Sequence, residues 1–366
     1  MSVHAPHPST VISPENLAII RNNAADAEVL GQLHPAQLAF VHQQQWFKLL
    51  VPKAYGGLET SLPNLVRLQE AISWADGSFG WVITLCCGAG WFGGFIEPGA
   101  AQQIFNTPGL CLAGSGAVSG EAEIVDKGYK LNGTWKYASG AYHATHFTAN
   151  CLIKQNGETV QGPNGEPLVL PFIIDKKEVS LLPTWKYVGM IATGSHSFEM
   201  KDVVVATDRS FHIDADYAKV DGKLYQFPFL QLAEATLAVN LSGMALHFID
   251  LCRVVFEDRI KLPKLTGEQK AQLKEMLRST IDSLQTSRNE LFKAVDASWK
   301  KPINNNTDEL LAVTKTSRHL AITAREAVDK LYPYCGLIAA ATDTEINRVW
   351  RDIHTAGQHS LLTFAG

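Results

Sequence analysis

Apolar and polar positions fall into three regimes along the chain. Up to about residue 107 the spacing is helical: Leu65, Leu68 and Ile72 form one stripe, with Gln69 and Glu70 between them. Ser13-Pro14-Glu15 supplies an N-cap followed by proline at the first helical position, and Ser61 is predicted to cap a helix over Leu62 to Trp74. From about 108 to 215 the pattern shortens into runs rich in β-branched and aromatic residues. These are Tyr129 to Leu131, Thr134 to Tyr137, His146 to Lys154, Leu168 to Asp175 and Ser197 to Val205. Asn132-Gly133 predicts a tight hairpin turn between Tyr129 to Leu131 and Thr134 to Tyr137, and with Gly162-Pro163-Asn164-Gly165 and Asp202 separating or ending the other runs the pattern predicts a small antiparallel β domain. Beyond about Phe229 helical spacing returns. Thr266-Gly267-Glu268-Gln269 is a capping box opening a run to about Trp299, which Pro302-Ile303-Asn304-Asn305-Asn306 breaks. Thr307 is predicted to cap the next helix, ending near Gly336, and Asp343 to about Leu362 to form the last. The pattern predicts an α+β protein with a helical domain over 1–107, a β domain over 108–215 and a helical bundle over 216–366.

Composition narrows the function classes. With 366 residues, 46% hydrophobic and 19% charged, the chain is globular material. A net charge of −4 gives no basic field, and Lys and Arg are interleaved with Asp and Glu, which argues against nucleic acid. The six cysteines show neither CxxC nor Cys/His ligand spacing, so no metal is expected and reduced thiols in a cytoplasmic protein fit best. Met1 to Pro14 lacks the basic start and apolar block of a secretory signal. Phe79 to Ile96 is uncharged and long enough to be weighed as a membrane span, but its glycines and missing Lys/Arg flanks predict a buried helix and turn, with no membrane partner.

Several motifs carry candidate chemistry. Tyr137-Ala138-Ser139-Gly140 ends an aromatic strand in a hydroxyl and a glycine. Strand alternation would put Tyr137 and Ser139 on one face, able to line the edge of a flat heterocycle such as a flavin; a core hairpin with a polar end is the other reading. Gly88-Ala89-Gly90-Trp91-Phe92-Gly93 matches GxGxxG, but Glu97-Pro98-Gly99 halts any helix it could open, which argues against a dinucleotide fingerprint. His143 and His146 at the start of a strand would face opposite ways, against a metal pair. In the last helix Arg348, Asp352, Thr355 and His359 share one face, and Asn347, Arg351, His354 and Gln358 an adjacent one. That surface is either solvated, with an Arg348/Asp352 pair, or turned partly onto protein by Val349, Trp350 and Ile353.

These pieces resemble the acyl-CoA dehydrogenase superfamily, and more closely its flavin-dependent two-component monooxygenase branch. The resemblance runs through Val51-Pro52-Lys53-Ala54-Tyr55-Gly56-Gly57, Ala75-Asp76-Gly77-Ser78 with Gly80-Trp81, Gly128 to Gly140, Trp185 to Ser195, and Arg351-Asp352 through Gln358-His359. It implies an N-terminal helical domain, a central antiparallel β-barrel or sandwich and a C-terminal four-helix bundle. Flavin would lie between the last two and across a subunit contact, in a homotetramer. Tyr137-Ala138-Ser139 stands where the superfamily sets a Trp-Ile-Thr-like segment against the flavin, so Ser139 would bond near N5 or O4. Ser115 and Ser119, in the segment Leu112 to Ser119, stand in a flavin- and substrate-contacting loop whose usual Thr-Glu-Pro wording is absent.

Where acyl-CoA dehydrogenases often carry a Tyr-Glu-Gly-Thr base, this chain has Gln358-His359-Ser360, which favours the monooxygenase branch. The resemblance then implies an oxygenase that takes reduced FAD or FMN from a separate flavin reductase and uses O2 to hydroxylate an aromatic or similarly flat small molecule. His359 would be general base or proton donor, and Arg351 would bind flavin phosphate or form a structural ion pair. The alternatives are an acyl-CoA dehydrogenase with Glu234 or Asp250 as base, and a flavin-free binding protein on the same fold.

Overall fold

The computed structural model describes residues 5–302 and 307–363. The N-terminal part contains α1 (Pro14–Asn22), α2 (Ala24–Leu30), α3 (Pro35–Gln43), α4 (Leu62–Ala75), α5 (Gly77–Gly90) and α6 (Pro98–Phe105). Ser13 caps α1, its hydroxyl accepting the Asn16 N–H at 3.3 Å. Ser61 stands at the N-cap of α4 in an extended conformation but makes no side-chain cap bond. The apolar run Phe79 to Ile96 becomes most of α5 and a following 3-10 turn, all packed inside the protein except for partly exposed Leu85 and Gly88.

The strands are β1 (Leu112–Val125), β2 (Gly128–Ala138), β3 (His146–Gln155), β4 (Glu158–Thr159), β5 (Val169–Asp175), β6 (Ser180–Leu182) and β7 (His196–Val205). They form one seven-stranded sheet in the order β4-β3-β1-β2-β7-β6, with β5 also on β3. The sheet is mixed rather than wholly antiparallel, because β1 and β3 run parallel. The cause is the connection after β2. Residues 140–145 cross to the start of β1, where the Thr145 N–H donates to the Cys111 carbonyl at 2.8 Å, so β3 sets off beside β1 in the same direction.

Asn132-Gly133 is not the hairpin turn. The β1–β2 turn lies between Val125 and Gly128, which pair, and Asn132-Gly133 sits inside β2 at a register shift against β7. Gly133 has a packing role there. It pairs with Gly120, and a Cβ on either would come within 2.1 to 2.7 Å of the Trp135 indole. Asn132 bonds Asp202 instead, accepting its N–H at 2.8 Å.

After the short α7 (Lys223–Gln226) come α8 (Phe229–Lys261), α9 (Gly267–Lys300), α10 (Thr307–Leu331), α11 (Glu345–Ala356) and α12 (Ser360–Thr363). The capping box opens α9 as predicted, with Thr266 and Gln269 exchanging bonds of 3.2 and 2.9 Å. The break at Ile303 to Asn306 lies outside the described residues, and Thr307 is already helical. Two 3-10 turns, Tyr332–Tyr334 and Leu337–Ala339, follow α10. The predicted last helix is two: α11 stops at Ala356 and α12 resumes at Ser360, so His359 leaves the helical face assigned to it.

The helices before and after the sheet share one core running from Ile12 to Leu362, whereas the sheet has its own around Trp135, Phe147 and Phe198. The helical core closes tightly. A Cβ at Gly243 of α8 would sit 2.4 Å from the Glu70 carbonyl of α4, so the two helices cross at backbone contact. Beside that crossing, buried Arg288 of α9 grips Glu70 through two bonds of 2.6 and 2.8 Å. Helix α8 is long and apolar enough to cross a membrane by length and composition, but it is the central, mostly buried helix of this core.

Candidate functional site

Strand β2 ends abruptly. Tyr137 takes a left-handed backbone (φ 68°), which breaks the alternation and turns its ring outward, 57% exposed, while Ala138 and Ser139 are buried. Tyr137 and Ser139 therefore do not share a face, contrary to expectation. Gly140, also left-handed, donates its N–H to the Thr193 carbonyl at 2.8 Å and fits against α5, where a Cβ would meet Cys86 Sγ at 2.7 Å and Val82 at 3.4 Å.

The Ser139 hydroxyl enters a buried line of hydroxyls. Its Oγ lies 2.8 Å from Ser195 Oγ, which lies 2.6 Å from Thr193 Oγ1, and Thr193 donates to the Met190 carbonyl at 2.7 Å. The segment preceding this line is aromatic. Trp185 and Tyr187 pack at a tilt of 34° with ring centroids 4.1 Å apart, the Tyr187 hydroxyl reaches that of Tyr137 at 3.4 Å, and Trp185 Nε1–H donates to the Met190 carbonyl at 2.9 Å. Of these residues, the sequence marked the stretch Trp185 to Ser195 without giving Thr193 or Ser195 a role.

His359 lies just past α11. Its ring meets the Trp81 indole of α5 edge to face at 5.9 Å, and Nδ1 accepts the Leu361 N–H at 3.4 Å. Burial pushes its pKa below the usual histidine value, so the neutral ring prevails at neutral pH. The Nδ1 contact leaves the proton of that neutral ring on Nε2. Helix α5 thus touches both candidates, Gly140 beside Ser139 through Val82 and Cys86 and the imidazole through Trp81.

Other candidates fall elsewhere. Ser115 is half-buried and Ser119 exposed on a stretch of β1 where the pairing with β3 shifts register twice, which frees backbone at that edge. Arg351 is occupied by protein: Nη1 bonds Glu28 at 2.5 Å and the Val188 carbonyl at 2.8 Å, and Nε bonds Asn347 at 2.8 Å. Arg348 approaches Asp76 at 3.8 Å, so the pairing predicted with Asp352 gives way to one across helices. Glu234 is buried and held by Arg318 at 2.9 Å and Thr314 at 2.6 Å. Asp250 accepts from Trp74 Nε1 at 2.9 Å and lies 3.3 Å from His7. His143 accepts the Leu33 N–H at 3.2 Å from a turn before β3, whereas His146 bonds Thr145 at 3.1 Å.

Asp352, assigned no role of its own from the sequence, lies beside these groups. It is buried, its Oδ1 accepts the Met190 N–H at 2.5 Å, and Ser78 stands 3.4 Å away. Burial, with Asp76 and Glu28 adding repulsion, pushes its pKa up to about 7 against the opposing pull of the Met190 N–H and Arg348. The signal available was Asp76-Gly77-Ser78, whose Asp76 caps α5 by accepting the Phe79 N–H at 2.9 Å. A cleft of about 370 Å³ between α8 and α9, lined by Phe256, Leu273 and Leu277, shares no residue with any of these groups.

Comparison with known proteins adds independent observations. Residues 229–364 match the family described as acyl-CoA dehydrogenase, C-terminal domain. Indole-3-acetate monooxygenase of Pseudomonas putida is 27% identical over 326 residues, covering 86% of this chain and 80% of that protein. The oxygenase subunit HsaA of a flavin-dependent monooxygenase from Rhodococcus jostii is 24% identical, covering 94% and 92%. Among solved structures, XiaF from Streptomyces in complex with FADH2 and glycerol superposes with a TM-score of 0.82 at 22% identity, over 95% of this chain and 89% of that one. This chain has the acyl-CoA dehydrogenase fold, and along most of its length it is similar to flavin-dependent monooxygenases.

Proposed function

We propose that the protein is the oxygenase component of a two-component monooxygenase, taking reduced flavin from a reductase and hydroxylating an aromatic or similar small molecule with O2. The observation that carries this reading is the position of α5, which packs on the Ser139–Gly140 end of β2 and on the ring of His359. It is joined by the relatives, which are named monooxygenases along most of the chain's length. Bound reduced flavin would supply the electrons that split O2, one oxygen atom going to the substrate and the other to water.

The residues fit such a ring. Exposed Tyr137 and Tyr187 offer flat surfaces, buried Ser139 a hydroxyl just beyond the strand end, and the irregular edge of β1 near Ser115 and Ser119 backbone groups without regular partners. Ala138 would contribute backbone only, since its side chain is fully buried. The fit is incomplete in one chain, because this surface is open, and a homotetramer in which a neighbouring subunit covers it would exclude water. Arg351, held by Glu28, Val188 and Asn347, acts here as a clamp between α2 and α11 rather than as a flavin-phosphate ligand. His359 would hold a proton on Nε2 for transfer, or accept one there after a tautomer change.

The test mixes purified protein with either FADH2 or FMNH2, O2 and a panel of phenols and indoles, and measures hydroxylated product. Rapid reduction of bound oxidised flavin by an acyl-CoA, without hydroxylation, would replace this reading with that of a dehydrogenase. Failure to bind any flavin would make the protein a binding scaffold.

A further inference from the structure

We propose that Ser195 and Thr193 are positioning residues that fix the polarity of the Ser139 hydroxyl, leaving it only a hydrogen-bond acceptor toward flavin and so selecting reduced over oxidised cofactor. The proposal rests on the flavin reading above. Its argument is a count of hydrogens. The Met190 carbonyl can only accept, and it takes the Thr193 hydroxyl at 2.7 Å, the Trp185 indole N–H at 2.9 Å and the Thr193 N–H at 3.1 Å. The single hydroxyl hydrogen of Thr193 is thereby spent. Ser195, 2.6 Å away, must donate to Thr193, and Ser139, 2.8 Å from Ser195, must donate in turn. All three residues are at most 4% exposed, so water does not compete to reverse the line. The terminus is fixed as well, since the N–H of Met190 is held by Asp352 at 2.5 Å.

What remains on Ser139 Oγ is lone-pair density. The N5 atom of reduced flavin carries a hydrogen, whereas that of oxidised flavin is a bare acceptor. A hydroxyl committed elsewhere binds the first and opposes the second. The device would discharge spent cofactor and admit fresh, and it would do so through residues that need not touch the ring.

The experiment measures equilibrium binding of oxidised flavin and, under anaerobic conditions, of reduced flavin, using both FMN and FAD. Wild type, Ser195→Ala, Thr193→Val and Thr193→Ser are compared by the ratio of the two dissociation constants. Wild type should prefer the reduced form. Ser195→Ala and Thr193→Val should each cut that preference about tenfold, the scale of one buried hydrogen bond, because Ser139 regains a hydrogen to offer. Thr193→Ser, which keeps the hydroxyl, should retain the wild-type ratio. An unchanged ratio in Ser195→Ala and Thr193→Val would overturn the proposal, as would an equal loss in Thr193→Ser and Thr193→Val. If Ser195→Ala does not fold, the two Thr193 variants decide alone. Absence of flavin binding by the wild type would instead defeat the functional reading beneath it.

Discussion

The indole of Trp81 and the imidazole of His359 meet edge to face, with centroids 5.9 Å apart and planes at 62°. This contact ties a residue outside any long helix to the middle of α5. Such an aromatic pair contributes about 0.5–1.5 kcal/mol beyond burial, a bias toward this ring orientation of roughly 2- to 12-fold. His359→Ala should leave flavin affinity within about twofold of wild type while product formation falls by about 10²-fold, the scale of general acid–base catalysis. Product chromatography beside flavin titration checks this, and normal hydroxylation by the variant would make His359 a packing residue.

Ser139→Ala should raise the fraction of consumed O2 released as hydrogen peroxide, because a ring without its bonding partner is left open to water. Oxygen uptake measured against product, with and without catalase, gives the fraction. Unchanged coupling would remove Ser139 from the site.

The raised pKa of Asp352 makes a stability prediction. A group with a folded value near 7 and an ordinary value of 3.8 stabilises the fold fully below 3.8 and loses that contribution as pH rises through 7. Asp352→Asn, which can still accept the Met190 N–H, removes the titration. Wild type should therefore lose on the order of 2 kcal/mol relative to this variant between pH 5 and pH 8. Parallel thermal melts across that range would refute the idea.

The Glu70–Arg288 pair is buried on both sides, and Ser242 adds a bond of 2.5 Å to the carboxylate. Arg288→Met strands that charge and should cost about 3–5 kcal/mol in denaturant unfolding. Replacing both partners, as Glu70→Leu with Arg288→Met, should recover most of the loss. A double variant as weak as the single one would show that packing, not charge, holds the site.

Gly189 lies against α11, where a Cβ would be 2.1 Å from the Arg351 carbonyl. Gly189→Ala should push the segment carrying Trp185 and Tyr187 away from Asp352 at a cost of about 1–3 kcal/mol. Tryptophan fluorescence would report the displacement, and an unchanged spectrum and midpoint would contradict it.

Helix starts were legible because capping is local: Ser13 and the Thr266–Gln269 box carry their own signal. Asn132-Gly133 misled because its glycine serves a distant indole rather than a turn, a tertiary demand that dipeptide statistics do not contain. The end of α11 was also hidden, since Gly357 keeps a right-handed backbone there and no proline follows. For the proposed site, Ser139 and His359 are candidates that motif position alone suggests. The line through Ser195 and Thr193 could not be read that way, because it depends on Met190 and Gly194 adopting left-handed backbones that bring a loop back onto β2. Asp352 was hidden likewise, as its partners Met190 and Ser78 are 162 and 274 residues away.

The shared core of the first and last helices sets an order for synthesis. A ribosome delivers α4 long before α8 and α9 exist, so the faces destined for Gly243 and Arg288 emerge without their partners. The sheet, whose own core is complete by Val205, can close in the meantime. Newborn chains therefore pass through a stage with a finished middle and sticky ends, and truncation after the sheet would leave that apolar surface open to aggregation rather than yield a smaller working protein.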